Sequence, residues 1–249
     1  MSQLQQLQET LKSLRLVETA KHLPILIREA EQNDHSFTQF LIDVTAYEQA
    51  CREEKQFNNR MKWATFPFHK TLDEYNLKEQ KSLSSKHLNR LKDLNWIEQL
   101  YNLILLGPPG VGKTHLAIGL GIEAINQGYK AVFTSMGDLV HNLKTEEFTR
   151  KSKARMKRIR EADLVIIDDL MFMAMDQQEA NMFFHLINDL YNQSSIILTS
   201  NKAPKEWGEL LGDQAITTAI LDRILHRVEI IHLNEDSYRM KHRSTIFGQ

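Results

Sequence analysis

The sequence predicts an α/β protein in which helices flank a parallel sheet, with a small all-α region in front of it. Residues 1–70 show helical periodicity, and from about residue 100 short apolar runs alternate with helical stretches. Within each of these runs, apolar and polar residues do not alternate, which is typical of parallel strands buried on both faces. We therefore predict a helical N-terminal domain over residues 1–70 and an α/β domain over residues 71–249.

The composition excludes several classes of protein. The 249 residues carry 31 basic and 32 acidic side chains, so the net charge of -1 argues against a partner attracted by bulk positive charge. No apolar run approaches the ~18 residues of a membrane helix, and residues 1–10 are polar, so we expect no membrane association and a cytoplasmic location. A single cysteine, Cys51, excludes an intrachain disulfide and a cysteine zinc site.

In the N-terminal region, leucines recur at the three- and four-residue steps of one helix face: Leu4, Leu7, Leu11 and Leu14. This pattern spans less than two heptads, so it predicts internal packing in preference to a coiled coil. A further helix is expected after Ser36, whose hydroxyl is suited to cap it. Basic and aromatic side chains over residues 52–70 follow, and this stretch could grip a DNA backbone or a neighbouring subunit.

The α/β region divides into elements in a regular order. Four apolar runs predict strands, over residues 102–106, 131–135, 164–167 and 196–199. A helix is expected over residues 114–127, and Asp138 is positioned to cap the next one. Asp176 and Glu179 have the spacing of a capping box at the start of a helix that carries an apolar stripe.

A glycine-rich motif follows the first predicted strand: Gly107-Pro108-Pro109-Gly110-Val111-Gly112-Lys113-Thr114. It matches G-x-x-x-x-G-K-[ST] at every fixed position and lies between a strand and a helix, as a P-loop requires. The glycines let backbone N–H groups turn around phosphate oxygens, and the helix N-terminus favours an anion. Lys113 is expected to contact the β- and γ-phosphates of ATP, and Thr114 to ligate Mg²⁺. His115, the next residue, completes the candidate nucleotide-binding set.

Polar residues end two later strands. Residues 164–167 lead into Asp168 and Asp169, and residues 196–200 lead into Asn201. We expect Asp168 to hold Mg²⁺ together with Thr114, Asp169 to polarise the attacking water, and Asn201 to orient that water beside the γ-phosphate. Taken alone, aspartates after an apolar run also begin ordinary turns, but the P-loop motif upstream favours the functional interpretation.

These motifs resemble the IstB-like ATPases, helper proteins of insertion-sequence transposition, and more distantly the DnaC-type helicase loaders; both belong to the AAA+ ATPases. Beyond the nucleotide motifs, the resemblance rests on three stretches: Leu198-Thr199-Ser200-Asn201, Ile220-Leu221-Asp222-Arg223-Ile224-Leu225-His226 and Ser237-Tyr238-Arg239. It identifies residues 71–249 as an AAA+ ATPase domain. It also implies that the strand before Asn201 lies between the two motif strands.

The resemblance further implies an ATPase that forms a homo-oligomer on double-stranded DNA and recruits and stimulates a transposase. Arg223 would be the arginine finger for a neighbouring subunit's nucleotide, although an Asp-Arg pair in isolation is more often a surface ion pair. Family members often have Asp-Glu where this chain has Asp168-Asp169. Since aspartate is one methylene shorter than glutamate, we expect slow hydrolysis.

A basic stretch, residues 150–160, carries seven cations and no acid. In a helix, four-residue spacing would pair Glu146 with Arg150, Glu147 with Lys151, and Lys157 with Glu161. The cations left over are the candidate DNA contacts: Lys153, Arg155, Arg158 and Arg160. The alternative is a solvated helix face. With no base-reading module evident, we expect contacts to phosphates and DNA shape.

Three other functions stay open on the sequence alone. A helicase loader would use the same core but deliver a replicative helicase in place of stimulating a transposase. A small-molecule P-loop kinase would share the phosphate loop but need an acceptor pocket and an arginine-bearing lid, neither of which the sequence shows. A nucleotide-switched scaffold would bind ATP without turnover, as Asp169 would allow.

Overall fold

The computed structural model describes residues 2–170, 175–209 and 214–238. The chain divides into two compact units, Met1–Asn59 and Arg60–Gln249. This division lies within a long helix, earlier in the chain than the boundary predicted after residue 70. Arg239, part of the closing stretch that carries the family resemblance, lies outside the described residues.

The first unit is helical, with α1 (Gln3–Ser13), α2 (Val17–Gln32) and α3 (Phe37–Ala64), the last of which continues past the division. Ser36 caps α3 as predicted, since its Oγ accepts a hydrogen bond from the Gln39 N–H at 3.2 Å. The buried Glu48 accepts hydrogen bonds from the N–H and hydroxyl of Thr19, at 3.1 and 2.8 Å. The predicted internal packing of the leucine stripe is wrong for three of its members: Leu4, Leu7 and Leu14 are 36–63% exposed.

The second unit holds a five-stranded sheet and its flanking helices. The strands are β1 (Asn102–Leu106), β2 (Ala131–Ser135), β3 (Leu164–Asp168), β4 (Ser195–Ser200) and β5 (Val228–His232). The helices are α4 (Ser85–Lys92), α5 (Asn95–Glu98), α6 (Lys113–Asn126), α7 (Met136–Thr145), α8 (Arg150–Arg160), α9 (Gln177–Leu190) and α10 (Gln214–Leu225), with a 3₁₀ helix at Pro204–Glu209. None of the helices in the described ranges is long and apolar enough to span a membrane.

The strand order is β2-β3-β4-β1-β5, and every pairing is parallel. The register pairs Leu106 of β1 with Ser200 of β4, and Ile167 of β3 with Leu198 of β4. The strand before Asn201 therefore lies between the two motif strands, which confirms the prediction. Because the strands are parallel, the residues that follow β1, β3 and β4 emerge at one edge of the sheet.

Capping explains where two of the helices begin. Asp176 accepts a hydrogen bond from the Glu179 N–H, and the Glu179 carboxylate accepts one from the Asp176 N–H, so the predicted capping box at α9 is confirmed. The prediction that Asp138 caps α7 is wrong. Ser135, the last residue of β2, is the cap, and its Oγ accepts the Asp138 N–H at 3.1 Å. A hydroxyl that ends a strand can thus cap the following helix without an intervening loop.

Candidate functional site: the phosphate loop and its surroundings

The phosphate loop, residues 107–112, connects β1 directly to α6. Gly110 and Gly112 have φ angles of 84° and 97°, a region that side chains with a Cβ rarely adopt. Gly112 is also the N-cap residue of α6. The loop N–H groups and the positive end of the helix dipole therefore lie at the same place, which is a ready-made site for phosphate.

Lys113, the first residue of α6, is buried, with 7% of its surface exposed. Its Nζ donates hydrogen bonds to the carbonyl oxygens of Gly107 and Pro108, at 2.7 and 3.0 Å. The carbonyl oxygens of the loop thus bind the ammonium group of Lys113. Phosphate oxygens can take over these hydrogen bonds, and as charged acceptors they form stronger ones.

Three elements meet at Asp168, at the end of β3. The Thr114 hydroxyl of α6 donates to its Oδ1 at 2.9 Å, and the Thr199 hydroxyl of β4 donates to the same oxygen at 2.6 Å. Burial raises the pKa of Asp168 above its ordinary value, and the two hydroxyls oppose this shift. We refer to Lys113, Thr114, Asp168 and Thr199 as the phosphate corner.

The phosphate corner offers the ligands that Mg²⁺ prefers. A carboxylate and a hydroxyl are hard oxygen donors, and Mg²⁺ usually takes one or two of these along with waters and phosphate oxygens. Within the described residues, no group of three or more His, Cys, Asp or Glu could hold a metal ion on its own. The donor set therefore fits a magnesium ion that arrives with a nucleotide.

Thr199 is a site residue that the sequence reasoning missed. Besides its bond to Asp168, its Oγ1 accepts a hydrogen bond from the Asp169 N–H at 2.9 Å. Asp169 has a φ of 60°, so this hydrogen bond helps to hold an unfavourable backbone conformation for a residue other than glycine. The available signal was a hydroxyl residue on the strand that the family resemblance places beside β3.

The other two residues expected to handle water lie at the same edge of the sheet. Asp169 and Asn201 follow β3 and β4 and are both exposed. Neither side chain forms a hydrogen bond with the part of the chain that the structure describes. They are thus available to a water beside a bound nucleotide.

A cleft of about 270 Å³ opens beside the loop. The segment before α4 forms one wall, and the lining includes Phe68, Tyr75, Gln80, Gly112, His115 and Tyr238. His115 lies in this wall and bonds through Nε2 to the Thr71 carbonyl oxygen at 2.9 Å. The cleft adjoins Lys113 and Thr114, so it can receive the rest of a molecule whose phosphates occupy the loop.

Residues 233–238 run along the phosphate loop after β5. The Leu233 N–H donates to the Leu106 carbonyl at 2.7 Å, and the Tyr238 N–H donates to the Gly110 carbonyl at 3.0 Å. A Cβ added at Gly107 would lie 2.1 Å from the Leu233 carbonyl oxygen. This segment therefore fixes the loop from outside and makes a glycine necessary at position 107.

Arg223 does not join the phosphate corner of its own chain. Its guanidinium donates to Asn188 Oδ1 at 3.1 Å and to the Ala219 carbonyl at 2.9 Å, and lies 4.8 Å from the centre of the Phe184 ring. The neighbouring Ile224 carbonyl accepts a hydrogen bond from Asn102, the first residue of β1. Since the loop follows the last residue of β1, the length of the strand, about 13 Å at 3.3 Å per residue, separates this position from the loop.

The four candidate DNA-binding cations of α8 differ in their surroundings. Arg160 forms ion pairs with Glu146, at 2.5 Å, and Asp189, at 3.1 Å. The guanidinium of Arg155 donates to the Phe133 carbonyl, and burial lowers its pKa. The expectation that Arg160 is unpaired is therefore wrong, and Arg155 turns toward the protein. The side chains of Lys153 and Arg158 have no hydrogen bond or ion pair within the described ranges.

The three ion pairs expected along α8 are only partly present. Lys157 and Glu161 pair at 3.6 Å, as predicted. Glu146 follows α7 and lies before the start of α8, so the four-residue rule for one continuous helix does not apply to it. It pairs with Arg160 across the connection between the two helices.

Together, the sheet order, the phosphate loop and the acid at the end of β3 define a P-loop nucleotide-binding protein of the AAA+ type. Residues 9–246 match the family described as IstB-like ATP binding protein, and the chain belongs to this family. It is 38% identical to the insertion sequence IS21-like ATP-binding protein of Bacteroides fragilis, over 98% of this chain and 92% of that one.

Solved structures agree on the fold. AMPPCP-bound DnaA from Aquifex aeolicus has a TM-score of 0.51 and 23% identity, covering 66% of this chain and 49% of the DnaA chain. The DnaC helicase loader has a TM-score of 0.50 and 21% identity, covering 66% of this chain and 96% of that one. Both likenesses concern the fold alone, and they confirm the predicted class of a parallel sheet flanked by helices.

Proposed function

We propose that the chain is an ATPase that assembles from several copies on double-stranded DNA and stimulates a transposase. The observation that carries this proposal is the separation of Lys113 from Arg223 within one chain. The phosphate corner is suited to a nucleoside triphosphate, but the arginine that would balance charge during hydrolysis lies at the other end of β1. A second copy completes the site if it presents its own Arg223.

In the nucleotide-bound site, the loop N–H groups and Lys113 hold the β- and γ-phosphates. Thr114 and Asp168 would hold Mg²⁺, which neutralises charge that develops on the phosphates. Thr199 keeps the Asp168 carboxylate turned toward Thr114. Asp169 and Asn201 orient the attacking water from the ends of β3 and β4. Because Asp169 is short and exposed, hydrolysis is slow and acts as a timer on assembly.

DNA is held through its phosphates by many copies acting together. Of the four predicted DNA contacts on α8, Lys153 and Arg158 are the two whose charges are not already used by the fold. Contacts of this kind carry little base information, so preference among DNA targets comes from deformability. Six neutralised phosphates per assembly unit would give a slope of about -5 in a log–log plot of affinity against salt.

The insertion-sequence names of the relatives support a transposase as the protein partner. A helicase loader is the second candidate, favoured by the fold that the chain shares with the DnaC helicase loader. Affinity capture with the purified chain, ATP and duplex DNA separates them. Retention of an IS21-type transposase supports the first candidate, and retention of a hexameric replicative helicase in its place supports the second.

The proposal is tested by electron microscopy and ATPase assays of the purified chain with duplex DNA. We expect regular assemblies with ATP and none with ADP, and Lys113→Ala should abolish both assembly and ATP binding. Arg223→Ala should bind ATP normally but lose about 10³-fold in hydrolysis.

Mixing the two variants tests whether Arg223 acts in trans. Each variant is inactive alone, but a Lys113→Ala copy still carries the arginine that an Arg223→Ala copy lacks. Turnover should therefore recover in part in the mixture. Assemblies of the same form without nucleotide would overturn the proposal, and normal turnover by Arg223→Ala would remove the role of the arginine.

A further inference from the structure

Two residues that line the cleft each carry a buried polar atom with no hydrogen-bond partner among the described residues. Tyr75 and Gln80 line the cleft and are only 7% and 6% exposed. Within the described part of the chain, neither the Tyr75 hydroxyl nor the Gln80 Oε1 finds a partner. Buried polar atoms are nearly always paired, so unpaired ones in the wall of a cleft indicate a ligand that pairs with them.

The amide of Gln80 is held in one orientation. Its Nε2 donates a hydrogen bond to the Val111 carbonyl oxygen in the phosphate loop. Rotating the amide by 180° would place Oε1 against that carbonyl, and two acceptors cannot pair. The unpaired atom of Gln80 is therefore always an acceptor, and it requires a donor from whatever occupies the cleft.

Tyr75 is held next to the phosphate loop by packing. Its ring lies against Gly112, where an added Cβ would come within 3.2 Å of it, and meets the His115 ring edge to face with centroids 5.2 Å apart. Burial raises the pKa of its hydroxyl, so the group stays protonated and can donate. The residues that line the cleft thus include one fixed acceptor and one hydroxyl, each on a side chain that contacts the phosphate loop.

We propose that Gln80 and Tyr75 read the base of the bound nucleotide and select adenine over guanine. This inference rests on the proposed binding of ATP and adds the residues that choose its base. The exocyclic amine of adenine donates to Gln80 Oε1, and a ring nitrogen next to it accepts from the Tyr75 hydroxyl. Guanine and hypoxanthine carry a carbonyl oxygen in place of that amine, so an acceptor would face the Gln80 acceptor.

The test compares three triphosphates on the full chain by equilibrium binding: ATP, ITP, and purine riboside triphosphate, which lacks the exocyclic group. The wild type should bind ATP at least tenfold more tightly than either analogue. In Gln80→Leu the affinity for ATP should fall to that for purine riboside triphosphate, whose own affinity stays unchanged. Gln193→Leu, an exposed glutamine in the turn before β4, is the matched control and should keep the wild-type preference.

Tyr75→Phe tests the hydrogen bond from Tyr75 separately from that of Gln80, and it provides a second test of the proposal if Gln80→Leu does not fold. This variant should lower the affinities for ATP and for purine riboside triphosphate by the same factor, because both bases contain the ring nitrogens. Equal binding of ATP and ITP by the wild type, or a preference for ATP that survives in Gln80→Leu, would overturn base reading while leaving ATP binding intact. A wild-type chain that binds none of the three would instead overturn the proposed function.

Discussion

The phosphate corner and helix α8 have opposite effects on the charged form of a side chain. In the corner, Asp168 is half-buried among uncharged hydroxyls, and burial raises its pKa. On α8, the Arg160 guanidinium is held by Glu146 and Asp189, and its pKa is raised chiefly by the hydrogen bond to Glu146. The fold therefore disfavours the charge of Asp168 and favours the charge of Arg160.

This difference separates charges kept for function from charges kept for structure. A charged residue that the fold disfavours is retained where a ligand binds to it, and such residues concentrate at functional sites. A charge that is already paired adds to stability but is less available to a partner. Lys153 and Arg158 form a third class on α8, because no side chain in the described residues neutralises them.

Among the variants that test this comparison, Asp168→Asn should give the largest effect, because it should weaken ATP binding and stabilise the fold at the same time. Without the carboxylate, the affinity for ATP in the presence of Mg²⁺ should fall about 10- to 100-fold, whereas binding without Mg²⁺ should change little. The ligand-free protein should become more stable at neutral pH, because a disfavoured charge is gone. A rise in melting temperature of about 2–4 °C corresponds to about 1 kcal/mol for a chain of this size.

The pH dependence of that gain follows from the direction of the pKa shift. Since the pKa of Asp168 is higher in the folded state than its ordinary value of 3.8, the wild type loses stability as pH rises through the interval between the two values. Asp168→Asn lacks this loss, so its advantage should grow across the interval and then level off. A variant less stable than the wild type at pH 7 would show that the fold does not disfavour the charge.

The sequence predicted the phosphate corner better than it predicted α8, for a physical reason. In the P-loop motif, the spacing of the residues itself sets the geometry, so Lys113 and Thr114 could be assigned from the motif alone. The state of the α8 cations depends on Glu146 and Asp189, which lie on other elements and have no fixed spacing from Arg160. Position in the chain could not distinguish Arg160 from Lys153 and Arg158.

Three other features escaped prediction for related reasons. Strand β5 is a partly exposed edge strand whose Val-Glu-Ile-Ile-His sequence lacks the continuous apolar run of the buried strands. Thr199 acts through hydrogen bonds to Asp168 and Asp169 at the end of the neighbouring strand, and no sequence motif indicates them. Tyr75 and Gln80 lie in an irregular segment before α4, and only the folded chain brings them to the phosphate loop.

Replacing Lys153 and Arg158 together by alanine tests the third class of charge. If both contact DNA phosphates, the salt dependence of DNA binding in the presence of ATP should weaken by about 2 in log–log slope. Affinity at moderate salt should fall about tenfold, while stability and ATP binding stay unchanged. Anisotropy titrations across a salt series measure the slope and the affinity, and an unaltered slope would remove α8 from the DNA-binding surface.

Arg160→Ala should give the smallest effect. It should destabilise the fold slightly, whereas Asp168→Asn should stabilise it. Exposed ion pairs contribute about 0.2–1 kcal/mol, and two carboxylates sharing one guanidinium should bring Arg160 near the upper limit. Lys157→Ala is the matched control on the same helix, since its pair with Glu161 is longer, at 3.6 Å, and more exposed. Thermal unfolding should show a loss for Arg160→Ala and almost none for Lys157→Ala. If instead Arg160→Ala weakened DNA binding as much as the double variant does, its carboxylate partners would not be neutralising it, and the distinction between paired and available cations on α8 would fail.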